Sequence, residues 1–437
     1  MSATPQDRNE AASENVMSNL MALNKLTYRT PPSLSVAKDR KYVSNFPQSR
    51  SYGNGQTMVW NVNTGSQFLH GKSSYVSFKV KTPAGTIGDW GTGSAANLFD
   101  VIRVKSRAGV EISRLEGANF WTHVHQRYNC PRDAFGTILQ SQGYGDLNGI
   151  LGSSNGTGTQ LALGAKFTVP LSIIPCFNQD RLLPPQLMDG AIIEIQLNAP
   201  QTAIYTATAS LANAPASYEV SELEIKWNSF DLADAFDRKI AQLSARDGLS
   251  LVHKEYHRTL VSQDTQDYQY DVKKACSKAL GVYVCPRLAA DIVKADADSN
   301  QCMDQQFVRY QFQLGSNYHP NSPLQNAEVG TQPSKATSSE AYYYTLSSWG
   351  RTDCHSNQDV SLKNFVSEAS AGEAKMGIAS TSFLKSSVSD MAGQMVNSAR
   401  ALVCDITAYD AKPRRLDTYL CFARLVKVYE QNATVAD

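Results

Sequence analysis

From residue 51 onward, hydrophobic and polar positions alternate in short runs of period two, the pattern of strands with one buried face. The clearest run is 75–81, where Val76, Phe78 and Val80 share one face and Tyr75, Ser77, Lys79 and Lys81 the other. Similar runs occupy 57–63, 98–105, 110–115, 167–174, 191–197 and 218–227. Residues 107–109, Arg-Ala-Gly, join two of them as a hairpin. About eight strands therefore fall between 51 and 230, spaced as an antiparallel sandwich requires. The stretch 117–164, rich in glycine and polar residues, reads as a long loop region.

The period then changes. In 231–248, Leu232, Phe236, Ile240 and Leu243 recur at helical spacing, so a short helix is expected as the boundary element. Strands resume at 250–256, 281–285, 307–314, 376–379, 401–406 and 418–429, while 321–342 and 355–375 read as polar excursions. The organisation expected is an arm over 1–45, one sandwich over 46–232 and a second over 233–437. Within the arm, Val16, Met17, Leu20, Met21 and Leu23 fall on one helical face after Ser13, and Pro31-Pro32 ends that helix. It is either a helix packed on its own sandwich or a strap to a neighbouring subunit or a membrane surface.

Composition narrows the function. The 437 residues suit two domains, and 19% charged residues lies below the usual quarter or so. Lys and Arg total 41 against 40 Asp and Glu, a net charge of +1, which argues against strong direct nucleic-acid binding. Lys412, Arg414, Arg415, Arg424 and Lys427 form a modest basic cluster, read as a solvated face before a genome contact. The eight cysteines contain no C-x-x-C pair, and Cys176, Cys404 and Cys421 sit in apolar runs, as buried free thiols would. No apolar signal core or membrane-length stretch is visible, so synthesis in a cytosol is expected. Sequons stand at Asn155 and Asn432 and matter only on a secretory route.

Candidate chemistry is sparse. His253 and His257 flank Lys-Glu-Tyr, but on a strand they would stand about 13 Å apart, too far to share a metal. His123 and His125 with Cys130 offer zinc ligand types, with packing the simpler role for residues set among Trp, Phe and Tyr. Asp291, Asp296 and Asp298 lack the glycine and terminal glutamate of a calcium loop. No nucleophile elbow or phosphate loop occurs. The expectation is therefore no catalytic, cofactor or metal site, and no enzyme. A sandwich glycosidase would need a facing carboxylate pair, which sequence spacing does not reveal.

Several passages, in order, resemble the double jelly-roll major capsid proteins of polinton-like viruses, virophages and adintoviruses. Ser35-Val-Ala-Lys-Asp-Arg-Lys-Tyr42, Gln56-Thr-Met-Val-Trp-Asn-Val-Asn-Thr-Gly-Ser-Gln-Phe-Leu69 and 74–78 are similar to that family's opening strands. Residues 169–177, 181–185 and 191–197 resemble the late part of its first jelly roll. Tyr310-Gln-Phe-Gln-Leu-Gly-Ser-Asn-Tyr-His-Pro-Asn-Ser-Pro-Leu324, 376–384 and 415–428 resemble segments of its second. The resemblance runs from about 35 to 430 and rests on order and spacing. It implies an all-β fold of two tandem eight-stranded jelly-roll sandwiches with short connecting helices and an N-terminal arm. It further implies a homotrimer forming pseudo-hexagonal capsomers in an icosahedral virion shell of a double-stranded DNA virus, assembled inside the host cell. Penton and minor capsid proteins, and an internal membrane, would be its partners. The competing reading is a carbohydrate-binding viral spike or lectin built on the same sandwiches.

Overall fold

The computed structural model describes residues 37–144, 160–232, 234–246, 248–302, 307–328, 330–351, 359–366, 375–383, 393–429 and 433–437. The arm before residue 37, Cys354 and both sequons lie outside the described residues.

Among the described residues, four antiparallel sheets are built on sixteen principal strands. In the first half these are β1 (Ala37–Asn45), β2 (Thr57–Asn61), β3 (Tyr75–Lys81), β4 (Phe99–Lys105), β5 (Glu111–Glu116), β6 (Ala165–Pro170), β7 (Ile192–Leu197) and β8 (Glu219–Leu232). They pair in the orders β1-β8-β3-β6 and β2-β7-β4-β5. In the second half follow β9 (Leu249–Gln263), β10 (Asp267–Val272), β11 (Cys276–Leu288), β12 (Phe307–Leu314), β13 (Asn317–Gln325), β14 (Ala379–Ser382), β15 (Leu402–Ala408) and β16 (Arg414–Val428). Their orders are β9-β16-β11-β14 and β10-β15-β12-β13. Each second-half sheet repeats a first-half order with every strand displaced by eight. The two halves therefore wind identically, as jelly rolls, without a detectable sequence repeat. Short strands at Ser51–Gly53 and Phe68–Leu69 extend β8's sheet, and Gln394–Val396 and Ala433–Ala436 extend β16's.

Alternation drives the packing. Val76, Phe78 and Val80 of β3 are buried, opposed by Ile102 and Val104 of β4 and by Ile193 and Ile195 of β7. In the second half, Val282, Val284, Leu416 and Leu420 meet Tyr310, Phe312, Cys404 and Ile406. Two inward faces thus close each sandwich. One continuous apolar cluster runs through both halves.

The structure departs from the sequence expectations at four places. The region 117–164 contains a three-turn helix, α1 (Ala118–Asn129), where a loop was expected. Nine of its residues are buried, on all sides, so no single hydrophobic stripe marks it. Residues 37–45, expected in the arm, form β1, an edge strand whose Lys38–Tyr42 run is exposed and so lacks period-two burial. The boundary helix α2 spans Asp234–Arg246, because β8 continues to Leu232. Residues 321–325 belong to β13, and a ten-residue helix, α3 (Ser339–Ser348), follows. Both α1 and α3 sit between the fifth and sixth strands of their own sandwich.

Candidate functional site at the seam between the sandwiches

Two edge strands from different sheets meet in the middle of the molecule. β5 ends its four-stranded order, β9 begins its own, and the two run in contact. The turn Pro175–Phe177 packs on both. Helix α1 completes the join: it leaves the first sandwich after β5 and inserts its side chains among residues of the second.

Trp121 of α1 is the centre of this insertion. Its ring lies 4.7 Å from that of Tyr256, 5.5 Å from Tyr283, 5.8 Å from Trp349 and 4.3 Å from Tyr419. Tyr128, two turns on, stacks on Trp349 at 5.1 Å and donates to the Met376 carbonyl at 2.6 Å. The helix starts at Gly117 with φ +61°, and a Cβ there would lie 2.7 Å from the Arg258 guanidinium. Glycine is thus required by both backbone and space.

Around the rings runs a buried polar layer. Asp417, fully buried, accepts from Arg258 Nε at 2.8 Å and Arg287 Nε at 2.6 Å. Burial would raise its pKa, yet the arginines Arg287, Arg258 and Arg415 hold it below the ordinary carboxylate value. The Arg287 guanidinium lies 4.2 Å over the Phe120 ring of α1. Arg127 of α1 pairs with Asp359 at 2.7 Å and donates to the Thr92 carbonyl. Asp298 accepts from both the amide and the hydroxyl of Thr92 at 2.7 Å. The Thr206 amide donates to the Ala295 carbonyl at 2.8 Å, and Ser299 Oγ to the Thr202 carbonyl at 2.7 Å. Charges, rings and backbone all cross the seam, so the halves are held as one body and not as beads on a linker.

The residues considered as ligands are used otherwise. His253 and His257 lie on β9; His253 is buried with Nε2 3.2 Å from Glu255 Oε2, and burial lowers the His257 pKa. His123 and His125 lie on helix α1 and not on a strand, so two positions apart they point about 200° apart. Burial pushes the His123 pKa well down, and that of His125 down to about 4. Cys130 caps the end of α1, and burial raises its thiol pKa. Asp291, Asp296 and Asp298 line a crevice of about 420 Å³ shared with Lys294, Lys375 and Lys412, and Asp298 is engaged by Thr92. Among the described residues, no group of three His, Cys, Asp or Glu side chains could hold a metal ion.

The late basic cluster is solvated only in part: Lys412 and Lys427 are exposed, Arg415 and Arg424 are half-buried. Arg414 is fully buried and pairs with Asp410, Arg424 pairs with Asp437 at 2.6 Å, and Lys412 pairs with Asp410 at 2.7 Å. Seven cysteines are described and all are free, with Cys176, Cys276, Cys285, Cys302, Cys404 and Cys421 buried. No described helix is long and apolar enough to cross a membrane. Sequence reasoning missed the seam itself. Its only sequence mark was the aromatic density of 118–129, which period-based reading does not score.

No family model and no curated protein matches this sequence. Solved structures do. A PBCV-1 virus capsid model shares 12% identity, with 94% of this chain and 99% of that chain covered and a TM-score of 0.61. The Faustovirus major capsid protein shares 8%, covering 92% of each chain, at a TM-score of 0.59. The mavirus major capsid protein shares 9%, covering 94% of this chain and 92% of that one, at 0.53. At such identities the likeness is one of fold, and it spans both sandwiches together. The chain has the double jelly-roll fold seen in these viral capsid proteins.

Proposed function

We propose that this chain is a non-enzymatic major capsid protein, which trimerises into pseudo-hexagonal capsomers that tile an icosahedral virion shell. The observation that carries the reading is the pair of identically wound sandwiches locked by a buried seam. Three such bodies present six similar lobes, which suits hexagonal packing, and symmetry repeats each modest contact many times. In this reading residues 46–232 and 233–437 supply the two lobes, with β1 of the 1–45 segment completing the first. Penton and minor capsid proteins, or an internal membrane, would meet the shell assembled inside the host cell. The likeness in fold to structures from PBCV-1, Faustovirus and mavirus supports the assignment. Near-neutral net charge fits close packing of many copies.

Electron microscopy of the purified protein tests it. Hexagonal plates roughly 70 to 80 Å across are expected, taking each sandwich as a few sheet spacings wide. Dispersed monomers with affinity on a glycan array would favour a sugar-binding spike instead.

A further inference from the structure

Two of the buried free cysteines touch. Cys285 lies on β11, fully buried in the second sandwich, and Cys302 stands at the far end of the loop that follows β11, 2% exposed. Their thiols are within hydrogen-bonding contact of each other. The surrounding backbone holds them so. Arg287, two residues past Cys285, donates from Nη1 to the Ser299 carbonyl at 3.1 Å, and the Cys302 amide donates to the Lys375 carbonyl at 3.0 Å. The loop between the two cysteines is the one that clasps the first sandwich. Its Ile292 carbonyl accepts from Thr202 Oγ1 at 3.3 Å, its Ala295 carbonyl from the Thr206 amide, and its Asp298 from Thr92. A bond between the sulfurs would fasten the far end of this clasp to a core strand.

One of the two can be reached. Cys302 lines the 420 Å³ crevice together with Arg287, Lys294, Lys375 and Lys412, four cations against the three aspartates placed there. Positive charge favours the thiolate, the reactive form of cysteine. Cys285 lies behind that wall, where burial first and then its contact with Cys302 hold its pKa well above the ordinary thiol value. We propose that Cys285 and Cys302 are a latent disulfide pair, closed by hydrogen peroxide that enters the crevice and reacts first at Cys302. The Cys302 sulfur attacks one peroxide oxygen, the O–O bond breaks, and the departing hydroxide takes up the proton that Cys302 released. Cys302 is then a sulfenic acid. The Cys285 sulfur attacks the Cys302 sulfur, the S–S bond forms, the S–O bond breaks, and the hydroxyl leaves with the Cys285 proton as a second water. Two thiols lose two electrons, and the peroxide takes them. The pairing stands whether or not the chain builds a shell; if it does, the bond would form once a particle leaves a reducing cytosol.

Oxidation of the full chain in its native state tests this. The peroxide dose is raised until Cys130, half-buried at the end of α1, is oxidised. Remaining thiols are then alkylated and the chain is digested with trypsin without reductant. Peptides 279–287 and 295–309 are expected to be recovered joined through Cys285 and Cys302, and to separate in dithiothreitol. The oxidised protein should melt at a higher temperature than the reduced one, because a closed 285–302 loop restricts the unfolded chain. That gain should vanish in Cys302→Ser. In Cys285→Ser the same dose should leave Cys302 as a sulfenic or sulfinic acid. Recovery of both cysteines as alkylated thiols would overturn the pairing, as would Cys302 joined to any other cysteine. A mapped bond with no gain in melting temperature would overturn the fastening of the clasp.

Discussion

The indole of Trp121 lies on the phenol ring of Tyr419 with 4.3 Å between centroids and 29° between planes, joining a helix of the first sandwich to a strand of the second. Removing the indole empties the middle of the seam. Trp121→Ala is expected to cost about 3–5 kcal/mol, the range for truncating a large buried aromatic. Because the lost packing lies between halves, calorimetry should show one unfolding transition broadening or splitting in two. A sharp single transition at an unchanged temperature would contradict the central place given to this contact.

Gly117 separates backbone strain from crowding. Its φ of +61° disfavours any side chain, and an added Cβ would stand 2.7 Å from Arg258 and 2.8 Å from the Tyr419 hydroxyl. Gly109, at φ +81°, has open space where its Cβ would be. Gly109→Ala should therefore lose about 1 kcal/mol from the backbone alone. Gly117→Ala should lose clearly more in the same denaturant titration. Equal losses would mean that the seam yields at little cost.

Much of this architecture was legible in the chain because half-buried strands write period two into the sequence. The 75–81 run gives β3, with Val76, Phe78 and Val80 buried and Lys81 exposed as the alternation predicts, although Ser77 of the other face is buried too. The seam was not legible, for two physical reasons. Helix α1 is buried on every side, so Phe120, Trp121, Val124 and Tyr128 alternate with equally buried Asn119, Thr122, His123 and Gln126, and no stripe appears. The ion pairs of Asp417 join residues 130 and 159 positions apart, which no local window can connect. Within the basic residues 412–427, Arg424 was illegible for a similar reason, since its partner Asp437 is brought to it by the pairing of the last strands, whereas Asp410 lies close in sequence to Lys412 and Arg414.

Asp417 predicts an acid-sensitive join. Its pKa is held below 3.8 in the folded chain, chiefly by Arg287 and Arg258 working against burial. Stability from this group is therefore present above the unfolded carboxylate value and is lost as the pH falls through the lower, folded one. Asp417→Asn removes the charge at every pH and leaves Arg258 and Arg287 buried without it. A loss of about 3–5 kcal/mol is expected at neutral pH. The gap from the unsubstituted protein should narrow as the solution is acidified toward the folded pKa. A gap that stays constant to the lowest accessible pH would show that the carboxylate charge is not what matters.

His125 sets a second, higher window. Burial first, then Lys254 and Arg351, hold its pKa at about 4, against 6.5 for a free histidine. Between those values the unfolded chain binds the proton and the folded chain does not, so stability falls as pH drops from 6.5 toward 4. His123, also pushed down by burial, adds to the same slope. In His125→Gln the denaturation midpoint should change less steeply across that window, with His123 and His257, both lowered by burial, contributing to the residual slope. An unchanged slope would place the acid response elsewhere.

The segment before β1 carries the last prediction. Val16, Met17, Leu20, Met21 and Leu23 share a helical face, and Pro31-Pro32 separates that face from β1. A chain whose two sandwiches are already closed around their own core has no need of this face for its folding. On the capsid reading proposed above, such a face would serve to strap one capsomer to the next or to an underlying membrane surface. Deleting residues 1–30 should therefore leave the melting temperature and the trimer intact while impairing shell formation in an assembly assay followed by electron microscopy. Normal particles from the truncated chain would remove the strap. Loss of the trimer itself would place the segment inside the capsomer.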